Sequence, residues 1–272
     1  MHDLKLSVSE VNQIYKELNS VSGFDFSNYA FSFKMRKIIL LMHSLKILNI
    51  EDFIFRLQNS QHTVSEFVKS MFVSYSEMFR DAEMWNYLQE KIFSKLLLKK
   101  EVKIHIPYCV TGEELYSLMF FSGLYKSTHI SILVSHPLSE NEELIKNRIF
   151  TQKDLKACQK NIEILDFVKN TEDVFAGHTN QMRVNHIYRG ELNFEYCNVL
   201  NQQHIAEFDL VLFRNRIIYY NDDLQTEVLR KISGSMNKGG LLIIGEKETL
   251  GQMSGKYKNL KSNLSVYKKR IF

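Results

Sequence analysis

The chain has little proline, cysteine or tryptophan. Its 272 residues include two prolines, three cysteines and one tryptophan. The cysteines, Cys109, Cys158 and Cys197, are odd in number and show no C-x-x-C spacing. That pattern excludes a disulfide framework and a zinc ribbon, and it fits a reducing compartment. The histidines do not cluster in the way that metal ligands do, so no metal site is expected.

Long apolar runs and concentrated positive charge are also lacking. No stretch of about 18 apolar residues occurs, so no membrane-spanning helix is predicted. Residues 1–5 lack the apolar core of a signal peptide. Lys and Arg number 35 against 31 Asp and Glu, and the concentrated basic run comes only at residues 268–270. We therefore expect a cytoplasmic protein with no membrane insertion and no nucleic-acid partner.

The first part of the chain has the apolar spacing of helices. Apolar residues recur at helical intervals over residues 4–18, and residues 33–48 and 50–57 continue without β-type alternation. We predict a small all-helical domain over residues 1–70. The remainder, residues 71–272, is predicted to form a second domain.

Beyond residue 100 the pattern changes to alternating strands and helices. Residues 102–106 alternate as a strand does, a turn at Gly112 leads into an apolar helix, and residues 130–134 form the next strand. This βαβ unit implies a parallel sheet. The apolar runs 208–213 and 241–244 have the composition of strands buried on both faces. The predicted fold class is therefore α/β, with an open sheet and helices on both faces.

The region before residue 197 has a different pattern. Residues 182–186 and 192–196 have the composition of short strands, joined through residues 189–191. We predict a small antiparallel β insertion at about residues 155–196, with these two segments as its strands.

Candidate site residues follow the predicted strands. In an open α/β sheet, ligands bind at the carboxyl ends of the strands near the topological switch point. Gly112 follows the first strand, where a helix start favours negative charge, although such a glycine also occurs in turns for structural reasons. Arg214 and Asn215 directly follow residues 208–213, and a charged side chain there is costly to bury unless it is paired. A surface loop after a core strand is the alternative.

Several motifs, in order along nearly the whole chain, resemble the CheR family of chemotaxis receptor methyltransferases. The helical part has F-D-F-S-N-Y at 24–29 and M-R-K at 35–37, and S-E-M-F-R-D at 76–81 corresponds to the family pattern T-x-F-F-R-D. In the α/β part, T-G-E-E-L-Y-S-L at 111–118 corresponds to T-G-E-E-P-Y-S-L, and N-V-L at 198–200 corresponds to N-L-L. Finally, F-D-L-V-L-F-R-N-R-I-I-Y-Y at 208–220 corresponds to F-D-x-I-x-C-R-N-V-x-I-Y-F, and K-G-G-L-L-I-I-G at 238–245 corresponds to P-G-G-x-L-x-x-G. The resemblance implies a helical N-terminal domain followed by a class I S-adenosylmethionine-dependent methyltransferase domain, which is Rossmann-like.

The resemblance also implies a reaction. That family transfers a methyl group from S-adenosylmethionine to glutamate side chains of chemoreceptors, so a methyl-accepting chemoreceptor or a related signalling protein is the implied partner. A glutamate carboxylate is ionised at neutral pH and needs no strong general base. Positioning for in-line displacement then carries most of the catalysis. The β insertion corresponds to a subdomain that in some family members docks a receptor peptide by strand addition.

Residue roles follow from the same resemblance. Arg80 and Tyr219 are the implied catalytic residues, which orient the substrate carboxylate and the cofactor methyl group. The implied cofactor-binding residues are Ser76, Thr111, Gly112, Glu113, His136, Asn198, Val199, Arg214 and Asn215.

Two departures from the family pattern concern the cofactor. His136 replaces an acidic residue that accepts hydrogen bonds from the ribose hydroxyls, and a neutral histidine has one acceptor nitrogen where a carboxylate has two oxygens. Pro107 and Tyr108 stand where the family has small residues. Two hypotheses follow: a working methyltransferase with altered cofactor contacts, or a cofactor-free module of the same fold that binds a receptor or signalling partner. A Tyr108 ring packed into the pocket favours the second, and His136 close to a bound cofactor favours the first.

Overall fold

The computed structural model describes residues 6–72, 76–126, 129–178, 181–185, 188–197 and 208–271. These residues divide into two units. The first comprises the described residues of Met1–Val73 with Ile217–Gln225, and the second those of Ser74–Arg216 with Thr226–Phe272. The domain boundary predicted between residues 70 and 71 stays a prediction. Within those ranges, no helix combines the length and the apolar character needed to cross a bilayer.

The first unit is helical in its described residues. Its helices are α1 (Val8–Ser22), α2 (Phe31–Ser44), α3 (Ile50–Asn59) and α4 (Gln61–Phe72). A capping box starts α1: the Ser7 hydroxyl accepts from the Glu10 N–H, and the Glu10 carboxylate accepts from the Ser7 N–H. Val11, Ile14 and Leu18 are buried at the predicted spacing. The predicted helical N-terminal region is confirmed.

A segment from much later in the chain belongs to this first unit. Ile217–Tyr219 is a 3-10 helix, and the Ala30 N–H donates to the Tyr219 carbonyl at 2.8 Å. Tyr29 forms an antiparallel bridge with Tyr220, and the two rings meet edge to face with centroids 5.1 Å apart. The helical unit is therefore assembled from two separate stretches of sequence.

The second unit combines strands and helices. Its strands are β1 (Val102–Ile106), β2 (Ile130–His136), β3 (Phe175–His178), β4 (Gln181–Val184), β5 (Glu191–Tyr196), β6 (Phe208–Leu212), β7 (Met236–Ile243), β8 (Tyr257–Asn259) and β9 (Val266–Lys269). Its helices are α5 (Ala82–Tyr87), continued by a π-helical segment (Leu88–Phe93) into α6 (Ser94–Leu96), then α7 (Glu113–Gly123), α8 (Asn141–Lys146), α9 (Gln152–Ile164), α10 (Thr171–Val174) and α11 (Asp222–Gly234), with a 3-10 helix at Gly251–Lys256. The first residues of α11 belong to the segment Ile217–Gln225.

Seven of these strands form one sheet in the order β5-β2-β1-β6-β7-β9-β8. The first five are parallel, and β9 runs antiparallel between β7 and β8. Every residue of β6 is buried, as its apolar run predicts. The order reverses at β1, which has β2 on one side and β6 on the other, so the switch point lies at the carboxyl ends of β1 and β6. The predicted fold class is confirmed.

The predicted pairing of the β insertion is partly wrong. The antiparallel partner of Gln181–Val184 is Phe175–His178, not the segment 192–196. That segment lies within β5, which pairs parallel with β2 in the main sheet. Alternation identifies a half-exposed strand but carries no information about the direction or identity of its neighbour. An edge strand of a parallel sheet therefore resembles one arm of a hairpin.

Candidate functional site

Three chain segments meet at the switch point of the sheet. They are residues 76–81 before α5, residues 107–112 between β1 and α7, and residues 213–216 after β6. Together with the first turn of α7, they line a single cavity of about 40 Å³. The strand-end argument therefore locates a common site.

Arg214 links these segments. Its Nη1 donates to the Glu114 carboxylate at 2.8 Å, and its Nη2 donates to the Asp81 carboxylate at 2.5 Å and to the Arg80 carbonyl at 2.8 Å. The Arg214 side chain is only 3% exposed. Burial raises the pKa of the Glu114 carboxyl, and the Arg214 guanidinium opposes that shift. The arginine predicted to line the cofactor site thus has a structural role as well, because it pairs with two carboxylates.

Arg80 is held in place by its neighbours. Phe79 and Asp81 on either side of it have φ angles of +53° and +58°, which cost about 1–3 kcal/mol each for residues other than glycine. The Phe79 N–H donates to the Ser117 hydroxyl at 2.8 Å, and its ring is fully buried. The Arg80 side chain lines the cavity, and in the described ranges its guanidinium makes neither a hydrogen bond nor an ion pair. The strained backbone therefore places Arg80 at the cavity, where its guanidinium is available to bind an anionic group.

Gly112 has a local structural reason to be glycine. Its φ is +92°, and a Cβ there would lie 3.2 Å from Cγ2 of Ile145 and 3.5 Å from the Tyr116 ring. Both neighbours are side chains of the protein itself. The structural reading of this glycine, left open by the sequence, is thus supported, and the residue also lines the cavity.

Gly112→Ala is expected to lower the free energy of unfolding by about 1–2 kcal/mol, because alanine is strained at positive φ and its methyl group would crowd Ile145. Urea unfolding measures the change. Gly255→Ala is the matched control, since an added Cβ there meets nothing within 4 Å and φ is not positive. Equal stability of the two variants would contradict the assignment of a required turn.

Glu113 is buried and engaged. It accepts hydrogen bonds from the Thr111 hydroxyl and from Nη2 of Arg148, the latter at 2.9 Å. Burial raises the pKa of the Glu113 carboxyl, and the Thr111 hydroxyl and the Arg148 guanidinium oppose the rise. These contacts fix its side chain beside the cavity.

The loops after β6 and β7 are joined by one carboxylate. Glu248 Oε2 accepts from the Asn215 N–H at 2.8 Å and from the Gly245 N–H at 2.6 Å. Asn215 has a φ of +59°, and a Cβ on Gly245 would lie 2.8 Å from Asn215 Oδ1. The close approach of the two loops therefore favours glycine at position 245, and Glu248 holds the Asn215 backbone at the cavity.

His136 ends β2 and is 1% exposed. Its Nδ1 lies 2.8 Å from the Leu138 carbonyl, which only accepts, so Nδ1 carries a proton. Nε2 has no hydrogen-bond partner in the described ranges, and Glu142 Oε2 is 4.0 Å from it. In the neutral imidazole this buried nitrogen is an acceptor, and it suits a hydroxyl donor such as a ribose hydroxyl.

Tyr108 and Arg216 line the cavity and contact each other. Arg216 Cζ lies 3.5 Å from the centroid of the Tyr108 ring, and Arg216 Nη2 donates to the Tyr108 hydroxyl. A space of about 40 Å³ holds one water molecule, whereas ligand pockets measure about 300–1,000 Å³. The polar groups at this edge suit S-adenosylmethionine, whereas the space in this structure is smaller than the cofactor needs.

The structure brings together most of the predicted site residues. Those that line the cavity are Ser76, Arg80, Thr111, Gly112, Glu113, Arg214 and Asn215. His136 does not line it, and Asn198 and Val199 lie outside the described residues. Tyr219 lies in the first unit, where its ring contacts Phe33 with centroids 4.4 Å apart. The individual roles of these residues stay predictions.

Asp81, Glu114 and Glu248 are not among the predicted site residues. Asp81 and Glu114 fall inside motifs that the sequence displays, but their pairing with Arg214 joins positions 133 and 100 residues apart. Glu248 follows Gly245 by three residues, and this short spacing is the sequence feature from which its contact with the Gly245 N–H could have been predicted. Contacts between distant segments are what the sequence does not reveal.

Comparison with known proteins extends this picture. A family profile described as CheR methyltransferase, SAM binding domain, matches residues 74–266. The chain is similar to a chemotaxis protein methyltransferase of Listeria monocytogenes, 24% identical over 231 residues that cover 84% of this chain and 85% of the relative. A chemotaxis protein methyltransferase of Campylobacter jejuni is 25% identical over 277 residues, covering 97% and 92%.

Among solved structures, a putative class I S-adenosylmethionine-dependent methyltransferase from Listeria monocytogenes is similar, with a TM-score of 0.44 and 12% identity. The match covers 97% of this chain and 89% of the other. The stretch that matches the family profile, 74–266, contains every residue that lines the cavity.

Proposed function

The chain belongs to the CheR methyltransferase family, and from that premise we propose that it methylates glutamate side chains of a chemoreceptor-type protein. It is an S-adenosylmethionine-dependent methyltransferase, and the relatives that match almost its full length are named chemotaxis protein methyltransferases. The observation that supports the glutamate substrate is that Arg80 lines the cavity while its guanidinium makes neither a hydrogen bond nor an ion pair in the described ranges. A carboxylate is the natural partner of such a group.

Arg80 binds the substrate carboxylate in this proposal. A glutamate side chain has a usual pKa of about 4.3, so it arrives ionised and acts as the nucleophile without a general base. Two parallel N–H groups of the guanidinium fix the plane of the carboxylate. The strained backbone at Phe79 and Asp81 fixes Arg80 itself, so orientation rather than proton transfer is the enzyme's contribution.

The cofactor contacts are proposed from the residues at the strand ends. S-adenosylmethionine, when bound, supplies a methyl group on a positively charged sulfur. His136 Nε2 would accept a hydrogen bond from a ribose hydroxyl, and Glu113 and Asn198 would hold the rest of the molecule. Arg214 keeps Arg80 and Glu114 in position through the contacts described above. Tyr219 is proposed to orient the substrate carboxylate.

One observation supports the alternative of a cofactor-free binding module. Tyr108 lies on Arg216 inside the cavity, which is the arrangement expected of that alternative. The family membership and the relatives favour the enzyme. The enzyme hypothesis predicts binding of S-adenosylhomocysteine, which is what remains of the cofactor after methyl transfer. The binding-module hypothesis predicts no such binding.

Calorimetric titration with S-adenosylhomocysteine tests the proposal. We expect micromolar binding, tightened about tenfold or more by His136→Asp, because a carboxylate accepts stronger hydrogen bonds from the ribose hydroxyls than a neutral imidazole does. His178→Asp on the exposed end of β3 is the matched control for the change in charge and should leave the affinity unchanged. Absence of binding by both the native chain and His136→Asp would overturn the enzyme assignment.

Transfer of a labelled methyl group to the cytoplasmic fragment of a chemoreceptor then tests the substrate. A methyl ester of glutamate releases methanol in alkali, whereas a methylated amine does not. Label that survives alkali would show a different acceptor. A fragment whose glutamates are changed to alanine is the control and should take up no label.

A further inference from the structure

Tyr108 and Arg216 come from separate strand ends and meet over the same cavity. Tyr108 lies in the turn after β1 and Arg216 in the loop after β6. The guanidinium carbon is 3.5 Å from the ring centroid, and Nη2 donates to the phenol oxygen. Both residues line the cavity, whose volume is about 40 Å³.

The contact has the features of a stable closed state. A cation on an aromatic face is most favourable where water is excluded, and Arg216 is only 2% exposed. The phenol oxygen adds a hydrogen bond from a charged donor. Burying a guanidinium is costly without such partners, so Tyr108 offsets part of the cost of burying Arg216.

A neutral phenol is nevertheless a weaker partner for a guanidinium than a carboxylate is. Arg and carboxylate groups form two parallel hydrogen bonds with opposite charges, which a phenol does not offer. A ligand that carries a carboxylate therefore has a means of displacing Tyr108 that an uncharged ligand lacks. S-adenosylmethionine carries an amino-acid carboxylate, whereas its nucleoside part alone does not.

We propose that Tyr108 and Arg216 form a gate over the cofactor site, closed in this structure and opened when the cofactor carboxylate replaces the Tyr108 phenol at Arg216. Arg216 is then a positioning residue that selects the amino-acid end of the cofactor. The proposal rests on the proposed methyltransferase function for the identity of the ligand. It also accounts for a cavity that is too small in the closed state.

The gate predicts a change in affinity and in binding kinetics. Tyr108→Ala should bind S-adenosylhomocysteine about tenfold more tightly, because the closed state no longer competes. In stopped-flow measurements, the association rate of the native protein should reach a plateau as ligand increases, whereas that of Tyr108→Ala should rise linearly. Tyr108→Phe keeps the ring and loses the hydroxyl, so its affinity should fall between the two.

The proposed role of Arg216 is tested by the preference of the protein for a ligand that carries the amino-acid carboxylate. Methylthioadenosine has the nucleoside of the cofactor without the carboxylate, so the native protein should prefer S-adenosylhomocysteine over it. Arg216→Val should lose that preference by about tenfold or more. Thermal unfolding of each variant checks that the fold is retained.

The results separate the gate from the methyltransferase function. Tyr108→Ala that binds S-adenosylhomocysteine as the native protein does, or more weakly, would overturn the gate alone. Retention of full selectivity by Arg216→Val would likewise overturn the anchoring role of Arg216. Failure of the native protein and of every variant to bind S-adenosylhomocysteine would overturn both the gate and the proposed function.

Discussion

Arg214→Met is expected to lower the free energy of unfolding by about 3–5 kcal/mol and to abolish methyl transfer. The substitution keeps much of the side-chain volume but leaves Glu114 and Asp81 without their shared cation. Both carboxylates are largely buried, so each would carry an uncompensated charge or take up a proton. The Arg80 carbonyl would also lose its donor, and Arg80 would lose its fixed position.

Arg148→Met is the matched control for this prediction. Arg148 also bridges two carboxylates, Glu113 and Asp154, but its side chain is 29% exposed. Water and salt screen the Arg148 end of these pairs, and Glu113, although only 7% exposed, keeps its hydrogen bond from the Thr111 hydroxyl, so a smaller loss of about 1–3 kcal/mol is expected. Urea unfolding of both variants measures the difference. Equal losses would show that burial does not set the energetic role of Arg214.

Arg80→Met is expected to lower kcat/KM for the receptor fragment by about 100- to 1,000-fold while the fold is retained. The guanidinium makes no hydrogen bond or ion pair with the described residues, so its removal breaks no internal contact of that kind. What is lost is the group that is proposed to orient the substrate carboxylate. Initial rates of labelled methyl transfer give the measurement, and urea unfolding checks stability.

Two further readouts make the Arg80 prediction specific. Arg80→Lys keeps the charge but not the planar pair of donors, so partial activity is expected. The affinity for S-adenosylhomocysteine should stay unchanged in both variants, because Arg80 is assigned to the substrate and not to the cofactor. A large loss of that affinity with normal turnover would move Arg80 to the cofactor side of the site.

The central strands were predictable because their signal is local. The alternation of residues 102–106 and the apolar run at 208–213 follow directly from burial on one or both faces, and both strands are found. β5 was assigned to the wrong sheet because its partner, β2, lies far from it in sequence. The pairing of strands depends on topology, which a short window of sequence does not contain.

The site was predictable to a similar extent and for a similar reason. Strand ends on one edge of a parallel sheet converge, so residues placed there by sequence line a common cavity. The contact between Tyr108 and Arg216 joins positions 108 residues apart. No periodic pattern around either residue predicts that they meet. Such contacts decide how much space the cavity has, and they emerge only from the folded chain.

The split composition of the helical unit has a consequence for synthesis on the ribosome. Domains usually fold in order as the chain emerges, N-terminal part first. Here Ala30 and Tyr29 contact Tyr219 and Tyr220, which are synthesised much later. The helical unit therefore cannot complete its contacts until most strands of the sheet have been synthesised. A nascent chain halted before residue 217 would therefore lack the hydrogen bond at Ala30 and the ring contact at Tyr29, so we expect its helical unit to be less stable than in the complete chain.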